Sequence, residues 1–181
     1  MPAQQQAVDI GRYFIKQHFK KILITKMGLT LQFTIGDKRK IIKAAKKNNF
    51  DFFDNLGRQN RLADFSLHLI PDDLNFLVAS ATEMKNKQIL SLRENLDTIT
   101  YYFDSEENGA YYVDPIIKHL FSEFKIEDAF NLTKKWFDKM AIDHNENLEV
   151  TQDAIDSVQR LILICKTAVN LNLDLVHNWL L

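Results

Sequence analysis

The chain has 181 residues, of which 46% are hydrophobic and 11% aromatic, and it contains three Pro and five Gly. This composition excludes a disordered chain and favours helices over a turn-rich β fold. A single cysteine, Cys165, excludes an internal disulfide framework. No apolar run approaches the roughly 20 residues that cross a bilayer, and the first ten residues lack the pattern of a secretory signal. We therefore expect an intracellular, cytoplasmic protein without a transmembrane segment.

The charge is divided unevenly along the chain. The formal net charge is −1, but residues 1–47 hold eleven Lys or Arg against two acidic residues, whereas residues 48–181 hold twelve against twenty-two. Such an asymmetry predicts two surfaces with different partners. We divide the chain into an N-terminal helix with an extended segment, residues 1–36, and a helical domain, residues 37–181.

The first part of the chain predicts a helix, a strand and a second helix. Apolar residues recur with a helical period over residues 4–27, and Gly28 is well placed to end that helix. Residues 29–35 alternate strictly between apolar and polar, which indicates a strand, although its partner strand is hard to find in the sequence. Asp37 can cap a helix that runs to about Phe53.

The rest of the chain is predicted as short amphipathic helices joined by polar loops. Their predicted spans are residues 59–70, 71–84, 91–103, 116–125, 126–141 and 151–170. Residues 99–113 leave an alternative open, because two aromatic runs separated by a polar turn also fit a β-hairpin; we favour a helix through Phe103. The predicted fold class is mainly α, an array of short amphipathic helices with at most a small β element.

Acidic loops between the predicted helices suggest calcium ligands. Ca²⁺ takes about six to eight oxygen ligands, and a twelve-residue loop supplies them from its odd-numbered early positions and from an acidic residue at its last position. The loop of residues 143–154 matches the early positions with Asp143, Asn145, Asn147, Glu149 and Thr151. Two further loops match in part, with Asp104, Glu106 and Asn108 at early positions of one and Glu94 at the last position of the other.

On these loops the chain resembles a divergent member of the EF-hand superfamily, the calmodulin-like proteins, over about residues 37–170. The resemblance implies paired helix-loop-helix units, which often present an apolar groove to a partner's helix. No loop combines the early ligands with an acidic residue at the last position, where the first loop has Ala154. We therefore expect weak calcium binding or none, in a fixed scaffold. Generic helix connections rich in Asp, Asn and Glu are the alternative.

A short basic segment, residues 37–49, is the second candidate site. One side of its predicted helix carries the cations Lys38, Arg39, Lys40, Lys43, Lys46 and Lys47. The apolar side of the same predicted helix carries Ile41, Ile42, Ala45 and Phe50. The pattern suits a solvated face or an acidic protein surface; nucleic acid is the alternative, and a membrane surface is a third interpretation.

Large apolar side chains are the third candidate. Trp136 and Phe137 lie on a predicted amphipathic helix, and Trp179 and Leu180 stand near the end of the sequence. They predict either a surface that docks a partner or closure of the core, and the sequence leaves both alternatives open.

No motif predicts catalysis. The five His show no metal-ligand spacing, His144 is expected to face solvent, and the place of Cys165 on an apolar stripe predicts a buried, inert thiol. We therefore expect a non-enzymatic helical adaptor, scaffold or structural subunit that binds other proteins. The alternative is a small nucleic-acid-binding regulator that uses the helix of residues 37–49. No cofactor is expected, apart from the alternative of weakly bound calcium.

Overall fold

The protein consists of a five-stranded antiparallel β-sheet with helices on both faces. The computed structural model describes residues 30–67, 69–88, 92, 102–105 and 108–180. The prediction of a mainly α fold with at most a small β element is wrong, because the sheet runs between two hydrophobic cores. The protein is an α/β protein.

Strands and helices follow one another along the described part of the chain. The strands are β1 (Thr30–Gly36), β2 (Leu62–Asp64), β3 (Tyr102–Asp104), β4 (Asn108–Tyr112) and β5 (Asp174–Leu180). The helices are α1 (Lys38–Ala45), α2 (Phe50–Arg58), α3 (Asp73–Met84), α4 (Pro115–Ser122), α5 (Ala129–His144) and α6 (Gln152–Asn170). A 3₁₀ turn, Ile126–Asp128, precedes α5.

The strand order in the sheet is β2-β1-β5-β4-β3, and all neighbouring strands are antiparallel. β1 and β5 pair along their whole length, from Thr30 opposite Leu180 to Gly36 opposite Asp174. The strand predicted at residues 29–35 is confirmed from residue 30 onward, and its partner comes from the far end of the described chain. Because β1 is hydrogen-bonded to β5, the predicted division between residues 36 and 37 separates two strands of one sheet.

The sheet separates two hydrophobic cores. The large core lies between one sheet face and helices α3 to α6, and it includes Phe33, Trp136 and Trp179. The small core lies between the opposite sheet face and helices α1 and α2, and it includes Ile41 and Val176. β5 contributes to both cores, because successive side chains of a strand point to opposite faces, whereas the apolar residues of β1 lie in the large core.

The predicted helix of residues 59–70 is wrong. Asn60 adopts the left-handed conformation, with a φ of 59°, and the chain leaves α2 there to form the edge strand β2. Leu62 then packs against the small core and Ala63 lies in the large core, which is the alternation that a strand produces.

The predicted helix through Phe103 is wrong at its C-terminal end. β3 pairs with β4, with Phe103 opposite Ala110, in the hairpin that the two aromatic runs allowed as an alternative. Apart from Leu92, residues 91–101 of the same prediction lie outside the described residues.

The other predicted helices in the described ranges are confirmed with adjusted ends. The helix predicted from Asp37 divides in two, because Asn48 turns the chain with a φ of 49° and Asn49 caps α2 by accepting a hydrogen bond from the Phe52 N–H. The helix predicted over residues 4–27 lies outside the described residues. None of the described helices combines the length and the apolar character that a bilayer crossing requires.

Candidate partner-binding surface

Helix α1 presents a continuous basic surface to solvent. Asp37 caps the helix by accepting hydrogen bonds from the backbone N–H groups of Arg39 and Lys40, at 2.8 and 3.2 Å. The apolar side of α1 is buried in the small core and consists of Ile41, Ile42, Ala44 and Ala45. Every exposed residue between positions 39 and 47 is a cation, and we call these five residues the basic face: Arg39, Lys40, Lys43, Lys46 and Lys47. Because an α-helix turns about 100° per residue, Arg39, Lys40 and Lys43 fall within an arc of about 100°, and Lys46 and Lys47 follow in the turn after α1.

Lys38, the sixth cation of the predicted site, binds the sheet instead. Its backbone N–H donates to Asp174 Oδ2 at 3.2 Å, and its Nζ lies 3.4 Å from Asp174 Oδ1. The same ammonium stands 4.0 Å from the centre of the Tyr112 ring. Burial, followed by the charges of Asp174 and Asp114, raises the pKa of Tyr112. These contacts fasten the start of α1 to β4 and β5, so Lys38 is not counted in the basic face.

The end of α1 is held by the hairpin of β3 and β4. Asn108 Nδ2 donates to the Ala45 carbonyl at 2.9 Å and also to the side-chain oxygen of Asn48. The Ser105 hydroxyl accepts a hydrogen bond from the Asn108 N–H at 3.1 Å, which fixes the turn of the hairpin. Because both ends of α1 are held, the backbone under the basic face loses little conformational entropy when a partner binds.

An exposed aromatic residue and two acidic residues lie next to the basic face in the chain. Phe50 begins α2, three residues after Lys47, and is 50% exposed. Asp51 and Asp54 are exposed on the same helix. The sequence did not predict that Phe50 is exposed, because a single helix through Phe53 would have placed Phe50 on its apolar side. The break at Asn48 turns Phe50 towards solvent instead.

The sheet also separates layers of opposite charge. Residues 37–64, which form α1, α2 and β2, contain eight Lys or Arg and four Asp or Glu. The described residues from 69 onward contain nine Lys or Arg and fifteen Asp or Glu. Within this acidic layer, hydrogen bonds from Lys135 and then Lys139 lower the pKa of Glu83 to about 2, with nitrogen–oxygen distances of 2.8 and 2.5 Å. This division of charge would attract an acidic surface to the side of α1 and α2 rather than to the opposite side of the sheet.

The predicted calcium loop of residues 143–154 connects α5 and α6. Asp143 lies in the last turn of α5, and Asn145 follows that helix in the left-handed conformation. The Thr151 hydroxyl caps α6 by accepting a hydrogen bond from the Ala154 N–H at 3.2 Å. The remaining predicted ligands of this loop are exposed, and they are Asn147 and Glu149. Ala154, at the last position of the loop, is fully buried.

The second predicted calcium loop forms a β-hairpin. Asp104 ends β3, and Asn108 begins β4, where its side chain supports α1. Glu94 and Glu106 lie outside the described residues. Across the described ranges, no group of three or more His, Cys, Asp or Glu side chains is placed to hold a metal ion.

The four apolar residues of the third candidate site are buried in the cores. Trp136 and Phe137 are 0% and 8% exposed, and Trp179 and Leu180 are 6% and 1% exposed. The Trp136 indole donates a hydrogen bond to the Asp73 carbonyl at 2.9 Å. These positions correspond to closure of the core, which was one of the two alternatives that the sequence allowed.

Cys165 confirms the prediction of a buried thiol. It is fully buried on α6, and this burial raises the pKa of the thiol above its ordinary value. A thiol that is buried and protonated is a poor nucleophile.

His144 and Asp73 form a pair of ionisable residues in the helical layer that the sequence did not predict. His144 Nε2 lies 2.9 Å from Asp73 Oδ1, and Asp73 Oδ2 accepts a hydrogen bond from the Ile70 N–H at 2.9 Å. Asp73 is 6% exposed, so the pair joins the start of α3 to the end of α5 in a largely buried place. The two residues are 71 positions apart, and no local spacing marks them as partners. The expectation that His144 faces solvent does not hold.

These features define an α/β protein with a basic helix on one face of its sheet and an acidic helical layer on the other. No protein-family model matches the chain, and comparisons with curated proteins and with solved structures find no significant match. These comparisons therefore neither support nor contradict the resemblance to EF-hand proteins.

Proposed function

We propose that this chain is a non-enzymatic binding protein that attaches to the acidic surface of a protein partner through the basic face. The observation that carries this proposal is that all exposed residues from Arg39 to Lys47 are cations. Like charges on one side of a helix repel one another, and this repulsion is relieved when an acidic surface approaches. An intracellular, cytoplasmic setting is part of the proposal, supported by the use of a single, unpaired Cys165.

The residues beside the basic face favour a protein over a nucleic acid. The exposed ring of Phe50 is the kind of anchor that carries much of the binding energy in protein interfaces. Asp51 and Asp54 would repel phosphates, but they can pair with Lys or Arg of a protein. A partner that offers an acidic stretch, an apolar pocket and a basic rim complements all three parts of this surface.

A photocrosslink from position 50 tests the proposal. Phe50→p-benzoylphenylalanine keeps an aromatic side chain at the surface, and irradiation in a lysate of the source organism should join it to one protein partner. The matched control is the same replacement at Phe130, which is 54% exposed on α5 in the acidic layer. We expect a discrete adduct from position 50 that survives nuclease digestion and is missing from position 130. The same adduct from both positions, or none from position 50, contradicts the proposal.

A small nucleic-acid-binding regulator is the second candidate, and one observation favours it. No acidic residue interrupts the basic face between Arg39 and Lys47. If the five cations contact phosphates of B-DNA, the logarithm of the affinity should fall with the logarithm of salt concentration with a slope of about −4.5. Fluorescence anisotropy with a labelled duplex measures this slope. Tight binding of that kind, lost on Lys43→Glu, would favour nucleic acid over a protein partner.

Weak or absent calcium binding by residues 143–154 stays a prediction of the EF-hand resemblance. Two oxygens of an acidic residue at the last position of the loop normally bind the ion, and the buried Ala154 supplies neither. Isothermal titration with Ca²⁺ should therefore show no saturable binding in the micromolar range. Micromolar binding that Asp143→Ala abolishes would make this loop a calcium sensor instead.

A further inference from the structure

Two buried nitrogen atoms on β5 have no hydrogen-bond partner among the described residues. They are His177 Nε2 and Trp179 Nε1, on residues that are 0% and 6% exposed. Because the two residues are two positions apart on one strand, both side chains point into the large core. Their ring centroids are 5.7 Å apart, and the planes of the rings differ by 38°.

The hydrogen bond of His177 determines which ring nitrogen donates and which accepts. His177 Nδ1 lies 3.0 Å from the carbonyl oxygen of Gln32, and a carbonyl oxygen can only accept, so Nδ1 carries the hydrogen. Burial keeps the ring neutral by lowering its pKa to about 4. Nε2 of this neutral tautomer is therefore an acceptor, whereas the Trp179 indole N–H is a donor. The strand thus places one acceptor beside one donor.

Neighbouring side chains hold both rings in place. The Tyr111 ring lies 5.1 Å from the His177 ring and 6.1 Å from the Trp179 ring, and Phe33 lies 4.9 Å from His177, as distances between centroids. Gly109 lies against the Trp179 indole, where an added Cβ would overlap the ring. The surroundings of the two nitrogens are aromatic, which favours a neutral occupant over a charged one.

We propose that His177 and Trp179 bind one neutral hydroxyl group, which donates to His177 Nε2 and accepts from the Trp179 indole N–H. A hydroxyl is the smallest group that can donate and accept through one oxygen atom. An oxygen about 2.9 Å from each nitrogen bridges two nitrogens up to about 6 Å apart, and the centroids of the two rings are 5.7 Å apart. The hydroxyl belongs either to a buried water molecule or to a small alcohol or phenol. This site lies on the opposite side of the sheet from the basic face and is independent of it.

Nuclear magnetic resonance on the ¹⁵N-labelled wild-type protein tests the site. Loss of one indole signal in Trp179→Phe assigns the Trp179 resonance, and Trp136→Phe gives the same assignment by elimination if the first variant does not fold. We expect the His177 nitrogen shifts of the Nδ1–H tautomer with a hydrogen-bonded Nε2. A buried water should give a nuclear Overhauser effect from water to the Trp179 indole proton, with the sign of a long-lived complex.

Titration with phenol and with cyclohexanol distinguishes the second source of the hydroxyl. If an alcohol or phenol is the occupant, the Trp179 indole signal should shift saturably with one of these probes and show no contact with water. The proposal is overturned if the signal shows neither the water contact nor a saturable shift. It is also overturned if His177 carries its hydrogen on Nε2.

Discussion

At the scale of the residue, His177 shows how burial fixes a protonation state. Its ring is enclosed by aromatic neighbours, and this burial lowers its pKa to about 4, although the hydrogen bond to Gln32 acts in the opposite direction. An unfolded chain has a His pKa of about 6.5, so it binds more protons than the folded chain between these two values. Stability therefore rises with pH across this window, and it is lost as the pH falls through it.

Substitution His177→Phe should remove this contribution to the pH dependence. We expect His177 to make the wild-type protein about 2 kcal/mol less stable at pH 5 than at pH 7.5, since one unit of pKa shift corresponds to about 1.4 kcal/mol. Urea denaturation at both pH values measures the difference between the wild type and the variant. His119→Gln, which changes an exposed His on α4, should keep the wild-type dependence. An unchanged dependence in His177→Phe would mean that the folded protein binds the proton.

Two glycines offer a matched pair of substitutions. A Cβ at Gly109 would overlap the Trp179 ring, whereas a Cβ at Gly57 in α2 would meet nothing within 4 Å. Gly109→Ala should destabilise the protein by about 1–3 kcal/mol, because the ring or the strand must move. Gly57→Ala should leave stability unchanged or raise it by up to about 1 kcal/mol, because Ala favours the helix. Urea denaturation compares the two, and equal effects would contradict the packing of Trp179 on Gly109.

Residue types predicted helix starts better than helix ends. Asp37 was expected to cap a helix, and it accepts a hydrogen bond from the backbone N–H two residues later, as Asp114 does at the start of α4. Capping involves only neighbours in the chain, so residue type is sufficient to predict it. Five of the six described helices are followed by an Asn in the left-handed conformation, and these are all the described non-glycine residues with a positive φ. These residues are Asn48, Asn60, Asn86, Asn145 and Asn172. Treating Asn as a stop signal would have divided the predicted helix from Asp37 correctly.

At the scale of the element, the strands were harder to predict than the helices. β5 contributes apolar residues to both cores, so its sequence lacks the alternation that revealed β1, whose apolar residues lie in the large core alone. β2 and β3 contain three residues each, which is too short for a periodic signal. The pairing of β1 with β5 joins positions more than 130 residues apart, and local patterns carry no information about it. The helices α3, α4 and α6 were predicted, because local periodicity was sufficient to reveal them.

Buried polar side chains help to fix the register of β1 against β5. The Thr34 hydroxyl donates to Asn178 Oδ1 at 2.8 Å, and Asn178 Nδ2 donates to Gln32 Oε1 at 3.2 Å. A slip of one residue would move these groups to the opposite face and leave them without partners. Such cross-strand bonds specify pairing, yet in the sequence they look like ordinary polar residues.

Loss of the hydrogen bond between the hairpin and α1 should make the C-terminal end of α1 less stable. Asn108→Ala removes the donor to the Ala45 carbonyl, which lies in a buried place, and should cost about 1–3 kcal/mol of unfolding free energy. Hydrogen exchange of the amides at the end of α1 should accelerate more than exchange in α6. The control is Asn131→Ala on the exposed side of α5, which should change neither quantity. Uniform acceleration throughout the protein would show that Asn108 supports the whole fold rather than α1.

At the scale of the whole molecule, the division of charge was predictable, and its arrangement in space was not. The count of charged residues placed an excess of cations before residue 48, and the basic face lies there. That the sheet keeps this face apart from the acidic layer follows from strand pairings that join distant parts of the chain. Phe50 joins the candidate surface for the same reason, because only the folded chain shows that it is exposed.

The central claim is that the basic face binds an acidic protein partner. The most direct measurement is the yield of the adduct from p-benzoylphenylalanine at position 50, after reversal of three cations by Lys40→Glu, Lys43→Glu and Lys47→Glu. A control with the same change in net charge carries Lys125→Glu, Lys134→Glu and Lys166→Glu in the acidic layer. Each exposed ion pair contributes about 0.2–1 kcal/mol, so the loss of three pairs should reduce the adduct by about 3- to 150-fold in the first variant, with little loss in the control. Equal yields from the two variants would contradict the account.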